Sequence, residues 1–293
     1  MASMLMRKEK VWTNQIYGAT ISIWKLCTGC TIRRGKRIGE EESDMLQQYF
    51  TKVQELLDVV LAEEQQQMKK TGDLLAKTIE NDGVIYMFGS GHSHILTEEV
   101  FYRAGGLAPV YPILIEPLML HLGAAASSQN ERKNDYVRSH LEGYPISDRD
   151  ALIVISTSGL NPVPVDVALF ARERGAIVIA ITSTVYAATQ HSRHKAGLFL
   201  KDAADIVLDN HVPEGDAVLG LPETLIKFAS VSSIVGIAMI QGMLAECISK
   251  LSANNADIPV FKSGNVTGAD DYNSRLLEQF SEKIPLLTEN MEI

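Results

Sequence analysis

The sequence is poor in cysteine. Its 293 residues contain three, Cys27, Cys30 and Cys247. That is too few for a disulfide framework, and reduced thiols in a cytoplasmic setting are the simple expectation. Cys27 and Cys30 form a Cys-x-x-Cys, but no second pair or nearby histidine follows to complete a zinc site. The spacing reads as coincidence, and neither a metal nor another cofactor is expected. Positive charge is also short: 27 Lys and Arg stand against 36 Asp and Glu, a formal net charge of −9. Phosphate backbones repel such a surface, which argues against nucleic acid as a partner. A site that is locally positive for a small anion stays open. The first forty residues are basic and mildly apolar, but Lys25 and polar residues break them too often for a membrane span. They also lack the apolar core and small-residue cleavage site of a secretory signal. Acidic residues are absent from Lys10 to Arg37, as in an organelle-targeting peptide. A disordered extension or an upstream start is the simpler reading, since Met45 itself opens a well-formed helix. The expected organisation is an extension over 1–40, one domain over 41–252, and a tail over 253–293 packed on it.

What the chain does have is alternation. From Glu41 to Glu80, Leu46, Tyr49, Phe50, Val53, Leu56, Leu57, Val60 and Leu61 recur at spacings of three and four, which predicts a helix ended by Asn81-Asp82-Gly83. Five short apolar runs follow, with helical segments between them: Val84–Phe88, Val110–Ile115, Ala151–Ile155, Ile177–Ile181 and Ile206–Leu208. They are apolar throughout, as strands of a parallel sheet covered on both faces are. The pattern predicts a doubly wound α/β sheet. Val163–Arg174 reads as one of the helices. Thr224–Lys250 reads as another, long and apolar, with Gln241 and Glu246 arguing against a membrane. The tail after Asn254, with Gly264, Asn265, Gly268 and Asp270-Asp271, reads as loops.

Ligands of open α/β sheets bind beyond the carboxyl ends of the strands. After the first run comes Gly89-Ser90-Gly91-His92-Ser93-His94. Its glycines let the backbone turn and present amides to an anion, and Ser93 can cap the helix that follows. After the third run comes Ser156-Thr157-Ser158-Gly159-Leu160-Asn161-Pro162, with Asn161 placed to cap a helix and Pro162 at its first position. After the fourth comes Thr182-Ser183-Thr184. Hydroxyls and amides without Lys or Arg suit a phosphate cradle, as a phosphorylated sugar requires. Turns contain Ser, Thr and Gly in any case, but matched strand ends weigh against that alone.

Gly89-Ser90-Gly91-His92-Ser93, then Ser156-Thr157-Ser158-Gly159, then a strand ending Ile181-Thr182, together resemble the SIS (sugar isomerase) domain family over most of the chain. The first loop, Gly-Ser-Gly-His-Ser-His, is similar to that of a group of stand-alone SIS proteins. The resemblance implies a three-layer α/β/α, flavodoxin-like fold with a five-stranded parallel sheet. It implies phosphosugar binding and a site built between subunits of a homodimer or homotetramer. Relatives include phosphoheptose isomerase, the isomerase half of glucosamine-6-phosphate synthase, muramic acid 6-phosphate etherase, and regulators that only sense phosphosugars. Asn161 departs from the threonine that many members place after Ser-x-Ser-Gly, which alters the donor set around phosphate.

Aldose–ketose isomerisation needs a base to move a proton between adjacent carbons, and a group that opens the ring. After the fifth run stands Asp209-Asn210-His211-Val212-Pro213-Glu214-Gly215-Asp216. By resemblance to the synthase branch Glu214 is the base, though one residue between it and the glycine is missing. His211 is the acid or ring opener. His92 is expected to reach the sugar and His94 to be structural; as a metal pair they face different ways. Glu98 and Glu99 are further acids, or simply a charged first turn favoured by the helix dipole. Glu131-Arg132-Lys133 could serve a phosphate across a dimer, or be a solvated charge run.

The main expectation is an isomerase. A sensor without turnover and a phosphosugar lyase or etherase are the alternatives. A dinucleotide fold ranks last. Gly89-x-Gly91 follows a strand and Glu116 sits near the place of a ribose-binding acid, but His94 replaces the third glycine.

Overall fold

The structure, a computed structural model, describes residues 44–291. The expected extension, with Cys27 and Cys30, lies outside them. Helix α1 (Met45–Glu80) opens where the Asp44 carboxylate accepts the amide of Leu46 at 3.0 Å. Strand β1 (Ile85–Gly89) and the short α2 (His94–Val100) follow, then β2 (Val110–Ile113), α3 (Ala124–Glu131) and α4 (Arg138–Leu141). Next come β3 (Ala151–Ile155), α5 (Pro162–Glu173), β4 (Ile177–Thr182), α6 (Thr184–Thr189), α7 (Leu200–Ala203) and β5 (Ile206–Asp209). A hairpin of β6 (Leu219–Gly220) and β7 (Lys227–Phe228) leads to α8 (Ser232–Ala253) and α9 (Ala269–Phe280).

The five main strands form one sheet, entirely parallel, in the order β2-β1-β3-β4-β5. This is the three-layer α/β/α, flavodoxin-like architecture expected. The uniformly apolar strands follow from two cores. Ile85 and Met87 of β1 pack with α1, α2 and α8, whereas Tyr86 and Phe88 pack with α5, α7 and α9. Alternate residues of a strand point to opposite faces, so a strand buried on both must be apolar throughout.

Two expectations are corrected. The apolar helix starts at Ser232, not Thr224. Asp216 accounts for this: its Oδ1 accepts the amides of Val231 and Ser232 at 3.0 and 2.9 Å, and its Oδ2 accepts the Ser232 hydroxyl at 2.6 Å. The residues before it are drawn into the β6–β7 hairpin instead. The tail is not only loops. Gly268, in a left-handed conformation, precedes α9, whose first turn holds Asp270 and Asp271 where the helix dipole favours acids. Leu276 and Phe280 then reach the core.

Helix α8 is long and apolar enough to cross a membrane by length and composition. Here Val235, Met239, Met243, Cys247 and Leu251 are buried in the core it shares with α1. Gly72 permits that approach, since a Cβ there would stand 2.6 Å from the Cβ of Glu246.

Candidate functional site

Strands β1 and β3 are neighbours at the point where the strand order reverses, and the loops leaving their carboxyl ends lie side by side. Gly89 closes β1. A Cβ on it would come within 2.8 Å of Ser93 Cβ, and nearer still to the Ser93 carbonyl, so only glycine lets the loop fold back this tightly. Gly91 takes φ +55°. His92 is exposed and Gly91 and Ser93 are half-buried, while Ser90 is buried. Ser93 does not cap α2. Its own backbone is already helical, and the extended conformation that lets a capping oxygen reach back to the helix amides is missing. His94 is buried, with Nδ1 bonded to the Gly91 carbonyl and the Thr97 hydroxyl donating to its own carbonyl at 2.7 Å. It locks the loop.

In the second loop, Ser156 is buried and its Oγ accepts the Gly159 amide at 3.2 Å. Gly159 has φ +58°, and a Cβ there would stand 2.7 Å from the Thr182 hydroxyl. Thr157 and Ser158 remain half-exposed. Asn161 precedes α5 but makes no side-chain cap. Its Oδ1 accepts Arg193 Nη1 at 2.8 Å instead. Helix α5 also has prolines at its first and third positions, Pro162 and Pro164, so two of its free amides are absent. The helix start expected from sequence is there, but fewer amides face outward. Thr182 and Ser183 are both buried: Thr182 donates to the Thr157 carbonyl at 3.3 Å and Ser183 to the Val212 carbonyl at 2.7 Å. They hold neighbouring loops together rather than facing solvent.

The loop after β5 is bent by left-handed residues His211, Gly215 and Asp216. Glu214 is exposed and its carboxylate accepts from Gln190 of the segment after α6. His211 lies against α1, with Nε2 3.5 Å from Glu64 Oε1 and 3.8 Å from Glu63 Oε2. Glu98 lies 3.6 Å from His94 Nε2 and Glu99 pairs with Arg103. Lys133 donates to Asn130 at 2.7 Å. Among the described residues no group of three His, Cys, Asp or Glu could hold a metal ion.

A family model described as the SIS domain matches residues 48–183. A UPF0309 protein of Halalkalibacterium halodurans is 49% identical over 83% of this chain and 97% of its own length. Another, from Listeria innocua, is 52% identical over 84% of this chain and all of its own. The chain belongs to the SIS-domain family, among the UPF0309 proteins. Phosphoheptose isomerase from Neisseria gonorrhoeae shares the fold, with a TM-score of 0.50 at 17% identity over 70% of this chain and 97% of that one.

Two cavities of this SIS-domain protein lie off the hydroxyl loops. One, of about 870 Å³, opens at the amino ends of β3 and β4 between Lys77, Arg149 and Ile177, the wrong end of a parallel sheet for a ligand. The other, of about 890 Å³ beside β2, is lined by Glu98, Glu116, Glu282 and Glu289, which would repel a phosphate. Two side chains near the SIS loops escaped sequence reasoning. Arg193 brings a cation to the loop after β3 through its bond to Asn161. Glu64, in the middle of α1, is drawn into the fold by His211; burial pushes its carboxyl above the usual range, against the lowering pull of the Asp209 backbone and His211. Neither stands in a motif that marks it.

Proposed function

We propose that the protein binds a phosphosugar at the carboxyl ends of β1 and β3 and isomerises it. The observation that carries this reading is the meeting of the two glycine-hydroxyl loops at the reversal of strand order, the place where doubly wound sheets bind ligands. On this reading the phosphate takes donors from Gly89–Ser93 and from Thr157 and Ser158, while Gly159, whose amide is taken by Ser156, turns the second loop beneath them. Ser90, Ser156, Asn161, Thr182 and Ser183 shape the cradle from beneath. Parallel strands stand about 4.8 Å apart, so β5 lies roughly 10 Å from β3. That separation suits a phosphate at one loop and the reacting carbons at the other, within reach of Glu214 as base and His211 as acid. His92 is exposed at the mouth, where it can meet the sugar.

We read the protein as cytoplasmic and as a homodimer or homotetramer. Leu46, Phe50, Leu61, Leu225 and Ile226 are exposed apolar side chains on α1 and the hairpin that a second copy would cover. A sensor without turnover is the second reading, favoured by the engagement of Glu214 with Gln190.

The experiment is a thermal-shift panel of hexose, heptose and amino-sugar phosphates with NAD and NADP included, followed by turnover of whichever sugar phosphate binds. Ligand at a hundred times its Kd stabilises by about 2.7 kcal/mol. Glu214→Gln is expected to keep that shift and to lose about 10²–10⁴ in kcat. Binding without turnover in wild type selects the sensor. A shift with dinucleotides alone refutes both readings.

A further inference from the structure

The imidazole of His211 is held in an unusual way. Its Nε2 is buried and has no hydrogen-bond partner. The side chain as a whole is only 19% exposed. Nδ1 makes no bond to another described residue and is not enclosed. The backbone of His211 is left-handed, with φ +52°, a conformation rare for a non-glycine residue, and the ring lies against α1. The charged groups around it are Glu63 and Glu64 from α1 and Asp209 from its own strand, whose Oδ1 accepts the His211 amide at 2.8 Å. Glu63 is 63% exposed at the side chain and Glu64 only 15%. A small rotation of either side chain would close the 3.5 Å gap to Glu64 into a hydrogen bond. An unpaired buried nitrogen favours that closure.

We propose that Glu64 is a positioning residue for His211: its carboxylate holds Nε2 from the α1 side and leaves Nδ1 open at the rim of the site to exchange a proton with a sugar. This rests on the phosphosugar reading above and narrows it to a substrate that arrives as a closed ring. In ring opening the imidazolium gives its Nδ1 proton to the ring oxygen as the bond from that oxygen to C1 breaks. The C1 hydroxyl proton leaves to water, and the aldehyde forms. The neutral ring keeps its Nε2 proton on Glu64, which fixes the tautomer and stabilises the charged form on the return step. A half-buried carboxylate 3.5 Å from one ring nitrogen, with the other nitrogen left free, is the arrangement such a role requires.

The test has two arms, both on the full chain. In the first, the side-chain carboxyl carbon of Glu64 is titrated by NMR in wild type and in His211→Asn. Asparagine tolerates the left-handed backbone, so the loop keeps its shape. The Glu64 midpoint is expected to move up in the variant, because the imidazole that lowers it is gone. An unchanged midpoint overturns the pairing. In the second arm, Glu64→Gln, Glu64→Asp and Glu63→Gln are assayed on the sugar phosphate that wild type turns over. Glu64→Gln is expected to lower kcat by about tenfold to a hundredfold with KM held, Glu64→Asp to recover part of it, and Glu63→Gln to match wild type. Full kcat in Glu64→Gln overturns the positioning role. No turnover of any sugar phosphate by wild type overturns the isomerase reading and the proton role with it, whichever way the Glu64 midpoint falls.

Discussion

Replacing Gly89 with alanine separates two reasons why glycine occupies the first loop. At Gly89 the backbone is not left-handed; the difficulty is space. The new Cβ would lie 2.8 Å from Ser93 Cβ and nearer to the Ser93 carbonyl, well inside the roughly 3.5–4.0 Å of an ordinary carbon–carbon contact. The obstacle is mainly backbone, which cannot rotate aside as a side-chain tip can. Overpacking of this kind costs about 1–3 kcal/mol, and a rigid obstacle places Gly89→Ala at the upper end. At about 2–4 °C per kcal/mol for a domain of this size, Tm should fall by roughly 6–12 °C. Relief of the clash pushes Ser93 away from β1, so the phosphosugar shift should disappear as well. Gly91→Ala is the control. Its Cβ meets nothing within 4 Å, and only φ +55° resists it, a strain of about 1–2 kcal/mol. Differential scanning fluorimetry of both variants, with and without ligand, decides the matter. If Gly89→Ala melts with wild type, or no lower than Gly91→Ala, the close return of the loop is wrong.

Asp216 caps α8 through both carboxylate oxygens, and loss of a cap costs about 0.5–2 kcal/mol. Asp216→Ala should therefore lower Tm measurably, and Asp216→Asn less, since asparagine keeps an acceptor and tolerates φ +50°; equal Tm values for wild type and Asp216→Ala would remove the cap from the account. Burial pushes the Cys247 thiol up to about 12. The thiolate is the reactive form, so Cys247 stays protonated and unreactive as pH rises from 7 to 9. Mass spectrometry after iodoacetamide treatment should find it unmodified in the native protein and modified in guanidinium, and native labelling would show that α8 does not pack as described.

The sequence by itself determined the sheet and the ends at which its loops gather. Ala151–Ile155 matches its observed strand in full, and the other four runs differ by a residue or two at their ends. A strand covered on both faces has to be apolar along its whole length, and that is a local property of the chain. The glycines at 89 and 159 were legible for the same reason: each answers a nearby steric demand. Tertiary structure decided what the polar side chains do. Asn161 looked like a cap until Arg193 took its oxygen, and Ser183 looked like a phosphate donor until the Val212 carbonyl accepted its hydroxyl. Residues before Ser232 read as helix because they are apolar, but Asp216 sets the start from across a hairpin. Glu64 carried no signal in a run of helical Glu and Gln. Its role depends on a left-handed residue far along the chain that brings His211 against it, and pairings of that kind depend on distance in space, which local propensity does not record.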